Sequence, residues 1–163
     1  KHNIIPDEVK LQLTLRSYSD EVRDQTIQSI KRIVRGQAIA AGLPDDKMPK
    51  VILKDEYTPA LYNDPDFSSK VLGFIKDEIG SENVYEVPAV MGGEDFGRFG
   101  KQDPKIPSFL FWLGGTSKED WKKFKRGDIN LPSNHSPFFA PVPEPTLTTG
   151  VRAMTSSAIG LLQ

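Results

Sequence analysis

The clearest pattern in the chain lies near its start, in EVKLQLTLRSY, where Val9, Leu11, Leu13 and Leu15 alternate with Lys10, Gln12, Thr14 and Arg16. Period-2 alternation predicts a strand with one buried face. Ser19 then offers an N-cap, Asp20 and Glu21 suit the positive end of a helix dipole, and Val22, Ile27, Ile30, Val34, Ala38 and Ala41 form a helical stripe closed by Gly42 and Pro44. A helix over about 20–41 is expected, followed by a second strand in KVILKDEYT. Asp64 and Pro65 open the next helix as N-cap and first-turn proline, Phe67, Val71, Phe74, Ile75 and Ile79 give its apolar face, and Gly80 stops it.

NVYEVPAVMGGEDFGRF reads as a short strand ending at a Gly-Gly turn, with a helix whose first turn holds Glu94 and Asp95. SFLFWLGG is a near-continuous apolar run closed by two glycines, the pattern of a central strand covered on both faces. Leu147, Val151, Met154, Ala158 and Leu161 mark a final amphipathic helix. Residues 1–57 thus read as strand, helix, strand, and residues 58–163 as helix, strand, helix, strand, loop, helix, an α/β order. The sequence runs into its first strand with no earlier partner for a sheet edge, so residues preceding Lys1 are expected in the natural protein.

Composition narrows the function. The 21 basic and 22 acidic residues are mixed along the 163 positions, leaving a formal charge of -1 and no field to hold nucleic acid or an anionic membrane. The longest apolar run, FLFWL, is far too short to span a bilayer, so a soluble protein is expected, with its compartment, cytoplasmic or periplasmic/secreted, left open. Without cysteine, any metal site must use nitrogen or oxygen ligands.

The proline-biased stretch INLPSNHSPFFAPVPEP, residues 129–145, carries His135 between an apolar strand and the closing helix, where ligands gather in open α/β sheets. A loop imidazole satisfied by backbone carbonyls and a metal ligand both fit this position, and one imidazole alone is not a metal site. The MGGEDFGRF turn permits close backbone approach at Gly92 and Gly93, either as an ordinary turn with Glu94 and Asp95 complementing the dipole or as an anion-binding N-terminus. Arg16 and Asn3 can offer a guanidinium fork and an amide to an anionic group, although Arg16 also fits as a solvated strand residue. There is no G-x-S-x-G elbow, Walker loop or Rossmann fingerprint, and WKKFKR at 121–126 fits a solvated helix or loop face.

Taken in order, NIIPDEVKLQLTLRS, NDP, MGGEDFGRF, FWLGG and NHSPFF closely resemble the second half of the zinc amidohydrolase and carboxypeptidase family. Its members include hippurate hydrolases, aminoacylases, glutamate carboxypeptidase and succinyl-diaminopimelate desuccinylase. The resemblance implies an α/β metallopeptidase-like catalytic domain interrupted by an α+β lid with antiparallel strands. Residues 1–57 would be the second half of the lid and dimerisation domain, and 58–163 the C-terminal part of the catalytic domain. It further implies His135 as a metal ligand, Asn3 and Arg16 as contacts to the substrate's carboxylate or reacting carbonyl region, Gly92 and Gly93 as pocket lining, and a pocket position for Glu94.

The implied cofactor is one or two Zn2+, with Mn2+ or Co2+ as substitutes, and the implied substrate is an N-acyl amino acid or small peptide hydrolysed at its amide bond. No catalytic base falls in this chain. The family's general base and remaining ligands lie in the half that precedes it, which would be one partner, with a second copy bound through the lid as another. The contrasting reading is a non-catalytic lid, dimerisation or regulatory binding module of a degenerate homologue.

Overall fold

A computed structural model describes residues 3–163. Four α-helices carry the regular structure: α1 (Asp20–Ala40), α2 (Pro65–Ile79), α3 (Lys118–Arg126) and α4 (Pro143–Leu162). Short 3-10 helices occupy Asp45–Lys47, Ser81–Asn83 and Asp95–Lys101. The expected α/β class, with antiparallel strands in residues 1–57 and a strand-containing second part, is not what the chain forms. Among the described residues there is no strand and no sheet.

The reason lies in pairing. A strand exists only where its backbone groups meet those of a neighbour, and among the described residues no ladder runs beside the alternating segment. Its apolar positions are correspondingly uncovered, with Val9 75%, Leu11 80% and Leu13 66% exposed. Alternation in the sequence describes a face that needs a cover, and the described chain does not supply one.

The helices begin and end where their punctuation places them. Ser19 Oγ accepts from the Val22 amide at 3.3 Å, opening α1. Asp64 accepts from the Phe67 amide at 3.0 Å with Pro65 at the first position, and Gly80 ends α2 at φ 89°. The predicted helix behind the Gly-Gly turn is a 3-10 helix rather than an α-helix.

The chain divides into two compact units, one of residues up to 61 together with 89–98, the other of 62–88 with 99–163. In the first, α1 buries Ile27 and Ala38, and the Arg23 guanidinium lies 3.9 Å from the centre of the Tyr57 ring. In the second, α2 packs on α4 around Val71, Ile75 and Ala153, with Phe67, Ile79, Val84, Phe109 and Phe111 against them.

α4 offers this core its small residues. A Cβ added to Gly160 would stand 2.7 Å from the Phe74 ring, and one added to Gly150 would stand 2.8 Å from Leu113 Cδ2. Arg152 closes one side of the helix pair, its Nε donating to Glu78 Oε1 at 2.7 Å. The SFLFWLGG run is held to the start of α2 by a two-way amide clasp, in which Asn63 Nδ2 donates to Leu110 O and Asn63 Oδ1 accepts from the Leu110 amide, both at 2.8 Å.

Candidate functional site

The first unit brings Arg16 to the Gly-Gly turn. Both are exposed, and Arg16 Nη1 lies 3.2 Å from the point where a Cβ on Gly93 would stand. The bare glycine backbone therefore leaves the volume that the guanidinium uses. Arg16 makes no hydrogen bond or ion pair among the described residues, which leaves the N–H donors of an exposed guanidinium without a protein partner there.

Glu94 is engaged differently. Its Oε1 accepts from the Phe96 amide at 3.0 Å, capping the start of the Asp95–Lys101 helix. This is the dipole-complementing role that the sequence left open, and it turns one carboxylate oxygen toward its own backbone. Asn3, in a turn at the start of the described residues, is exposed and forms no hydrogen bond to Arg16 or to Gly92 and Gly93.

In the second unit, His135 stands in a loop of overlapping turns. The Ser136 amide donates to Ser133 O at 2.9 Å, the Phe139 amide to Ser136 O at 3.0 Å, and the Phe138 amide to Ser136 Oγ at 3.2 Å. The backbone is thus satisfied without the histidine. The imidazole is exposed and has no hydrogen-bond partner among the described residues, which removes the reading of a ring held by backbone carbonyls. As a donor set it fits a divalent ion as one nitrogen ligand. Among the described residues no three His, Cys, Asp or Glu side chains gather to complete a metal site, so the other ligands are not supplied here.

Beside this loop a cleft of about 240 Å³ is lined by Gly115, Ser117, Asp120, Ile129, Pro132 and Phe139 among others. Its carboxylate is already occupied: Asp120 accepts from Ser117 Oγ at 2.8 Å, while Ser117 Oγ accepts from the Asp120 amide at 3.0 Å. This reciprocal cap starts α3, and its signal, Ser followed three positions later by an acid, stands in the sequence at 117–120.

Comparison with known proteins adds the family. Thermostable carboxypeptidase 2 of Saccharolobus solfataricus is 31% identical over 159 residues, covering 98% of this chain and 36% of the relative. The N-acetyldiaminopimelate deacetylase of Leuconostoc mesenteroides is 34% identical over 115 residues, covering 69% of this chain and 27% of the relative. The chain belongs to the amidohydrolase and carboxypeptidase family. Another such hydrolase, N-acetylcysteine deacetylase of Bacillus subtilis, is 29% identical over 73% of the chain. No protein-family model and no solved structure matches. The chain spans about a third of the length of the amidohydrolases and carboxypeptidases it matches, 36% of the Saccharolobus enzyme.

Proposed function

We propose that this chain supplies a metal ligand and a substrate clamp to a metal-dependent amidohydrolase that cleaves the amide bond of an N-acyl amino acid or small peptide. The observation that carries the reading is the Arg16 guanidinium, unpartnered among the described residues and set against Gly93, in a chain whose relatives are named as a carboxypeptidase, an N-acetylcysteine deacetylase and an N-acetyldiaminopimelate deacetylase. Substrates of such enzymes end in a carboxylate beside the bond that breaks, and a planar guanidinium binds that group through two parallel hydrogen bonds.

His135 would hold a divalent ion, Zn2+ or its substitutes Mn2+ and Co2+, through one ring nitrogen. When bound, the ion supplies Lewis acidity to the hydrolysis. Arg16 fixes the carboxylate, and the open backbone at Gly92 and Gly93 admits the substrate close to the main chain. Glu94 keeps its capping role and holds the turn in shape. The general base belongs to the portion of a longer chain that these residues do not match, and residues 1–57 serve as a lid through which two copies associate.

The test uses the protein at its natural length with acetylated, benzoylated and dipeptide substrates in zinc, manganese and cobalt buffers. Metal-dependent release of the amino acid is expected, lost on chelation and restored by metal. Failure to hydrolyse any of them under every metal would leave the non-catalytic binding module as the surviving reading.

A further inference from the structure

α3 sorts its charges instead of mixing them. At 3.6 residues per turn Lys118, Lys122 and Lys125 fall within about 60° of one another around the helix, and all three are exposed. Glu119 and Asp120 lie outside that arc, where Lys123 Nζ stands 2.7 Å from the one and 3.9 Å from the other. Arg126 pairs with Asp128 at 2.9 Å. No carboxylate among the described residues pairs with Lys118, Lys122 or Lys125. The arrangement works against the helix, since Lys118 sets a positive charge at the positive end of the dipole and Lys118 and Lys122 are like charges four residues apart. Lys125 is held between aromatic rings, its Nζ 5.3 Å from the centre of Trp121 and 5.9 Å from that of Tyr85, both exposed.

We propose that the Lys118–Lys122–Lys125 face of α3 docks an acidic segment of a partner protein, an extended peptide with carboxylates at alternate positions and an apolar side chain set against Trp121 and Tyr85. Charge complementarity selects the partner. Alternate residues of an extended peptide stand about 7 Å apart on one side, close to the rise of about 6 Å from Lys118 to Lys122. The two rings hold the Lys125 ammonium in place before anything binds, which lowers the entropy lost on docking. A single-stranded nucleic acid fits less well. Its bases need open aromatic faces, whereas Phe124 stacks on Trp121 with ring centres 5.4 Å apart and Lys125 stands over the same ring. The formal charge of -1 on the chain also opposes a polyphosphate. This docking is separate from the proposed hydrolysis and uses none of its residues.

The test is fluorescence anisotropy with the protein at its natural length. The probe is a fluorescein-labelled, C-terminally amidated peptide of alternating glutamate and threonine with one central phenylalanine. Saturable binding is expected, weakened at least about tenfold when salt rises from about 0.05 to 0.5 M. Lys118→Glu and Lys122→Glu should each weaken it at least about fivefold, and Lys31→Glu, an exposed lysine of α1, should leave it unchanged. Lys122→Gln, with a smaller loss expected, replaces any variant whose circular dichroism shows that it fails to fold. The glutamine version of the peptide should not bind. Absence of binding by the unaltered protein overturns the proposal, and so does equal binding of the glutamine peptide. Loss of binding in Arg16→Ala would move the peptide to the proposed substrate clamp, and tighter binding of a labelled oligouridylate would assign the face to nucleic acid. Either result rejects the docking site.

Discussion

Arg16 and Gly93 are fitted to one another: the guanidinium Nη1 lies 3.2 Å from the position that a Cβ on residue 93 would take. At that distance an added methyl displaces its neighbour by a few tenths of an ångström, and the neighbour here is the far end of a flexible side chain. Gly93→Ala should therefore leave the melting temperature unchanged while raising KM for carboxylate substrates by up to about tenfold, with kcat little altered. An unchanged KM would show that the spacing does not govern substrate binding.

Arg16 itself should matter more. A charge-assisted hydrogen bond contributes about 1.5–3 kcal/mol, so Arg16→Ala should raise KM roughly 10- to 150-fold for substrates with a free carboxylate and hardly at all for their amides. Arg16→Lys keeps the charge but loses the planar fork and should recover only part of the loss. Steady-state kinetics on paired acid and amide substrates decide it, and equal effects on both would sink the carboxylate contact.

For metal binding, the 163-residue chain taken alone should bind zinc weakly and without a defined stoichiometry, because His135 brings one ligand and no cluster completes the set among the described residues. Isothermal calorimetry reads this directly. In the protein at its natural length, His135→Ala should remove nearly all hydrolysis and lower the metal content measured after dialysis.

Within the helix pair, Gly160→Val should cost about 1–3 kcal/mol, since a side chain at 160 must displace the Phe74 ring that stands 2.7 Å from its Cβ position. Urea unfolding followed by circular dichroism should show a lower midpoint. A control at Gly36, whose Cβ would meet nothing within 4 Å, should be neutral or stabilising as Gly36→Ala.

The helices were legible because their signals are local. Asp64, Pro65 and Gly80 delimit α2 within a residue of where the sequence puts it, and Ser19 does the same for the start of α1. The strands were not, because Val9, Leu11, Leu13 and Leu15 encode only one side of an interaction whose other side is absent from the described chain. α4 shows a subtler miss. Its apolar row was legible as a stripe, but the stripe faces outward, since the bulk of Phe74 and Leu113 selects the glycine-rich side for the core. The proposed clamp and ligand, Arg16 and His135, stood out in the sequence only as residue types, and the approach of Arg16 to Gly93 needed coordinates. The capping role of Glu94 needed coordinates, because a first-turn acid fits a cap and an open pocket equally well.

The Arg152–Glu78 contact joins positions 74 residues apart, which has a consequence for biosynthesis. α2 emerges from the ribosome long before α4 exists to cover Val71 and Ile75. At about 5–20 residues per second the interval is on the order of 4–15 s, during which a nascent helix with an apolar face has no native partner. Until residues near Arg152 have cleared the exit tunnel, Val71 and Ile75 lack the surface that buries them in the finished chain.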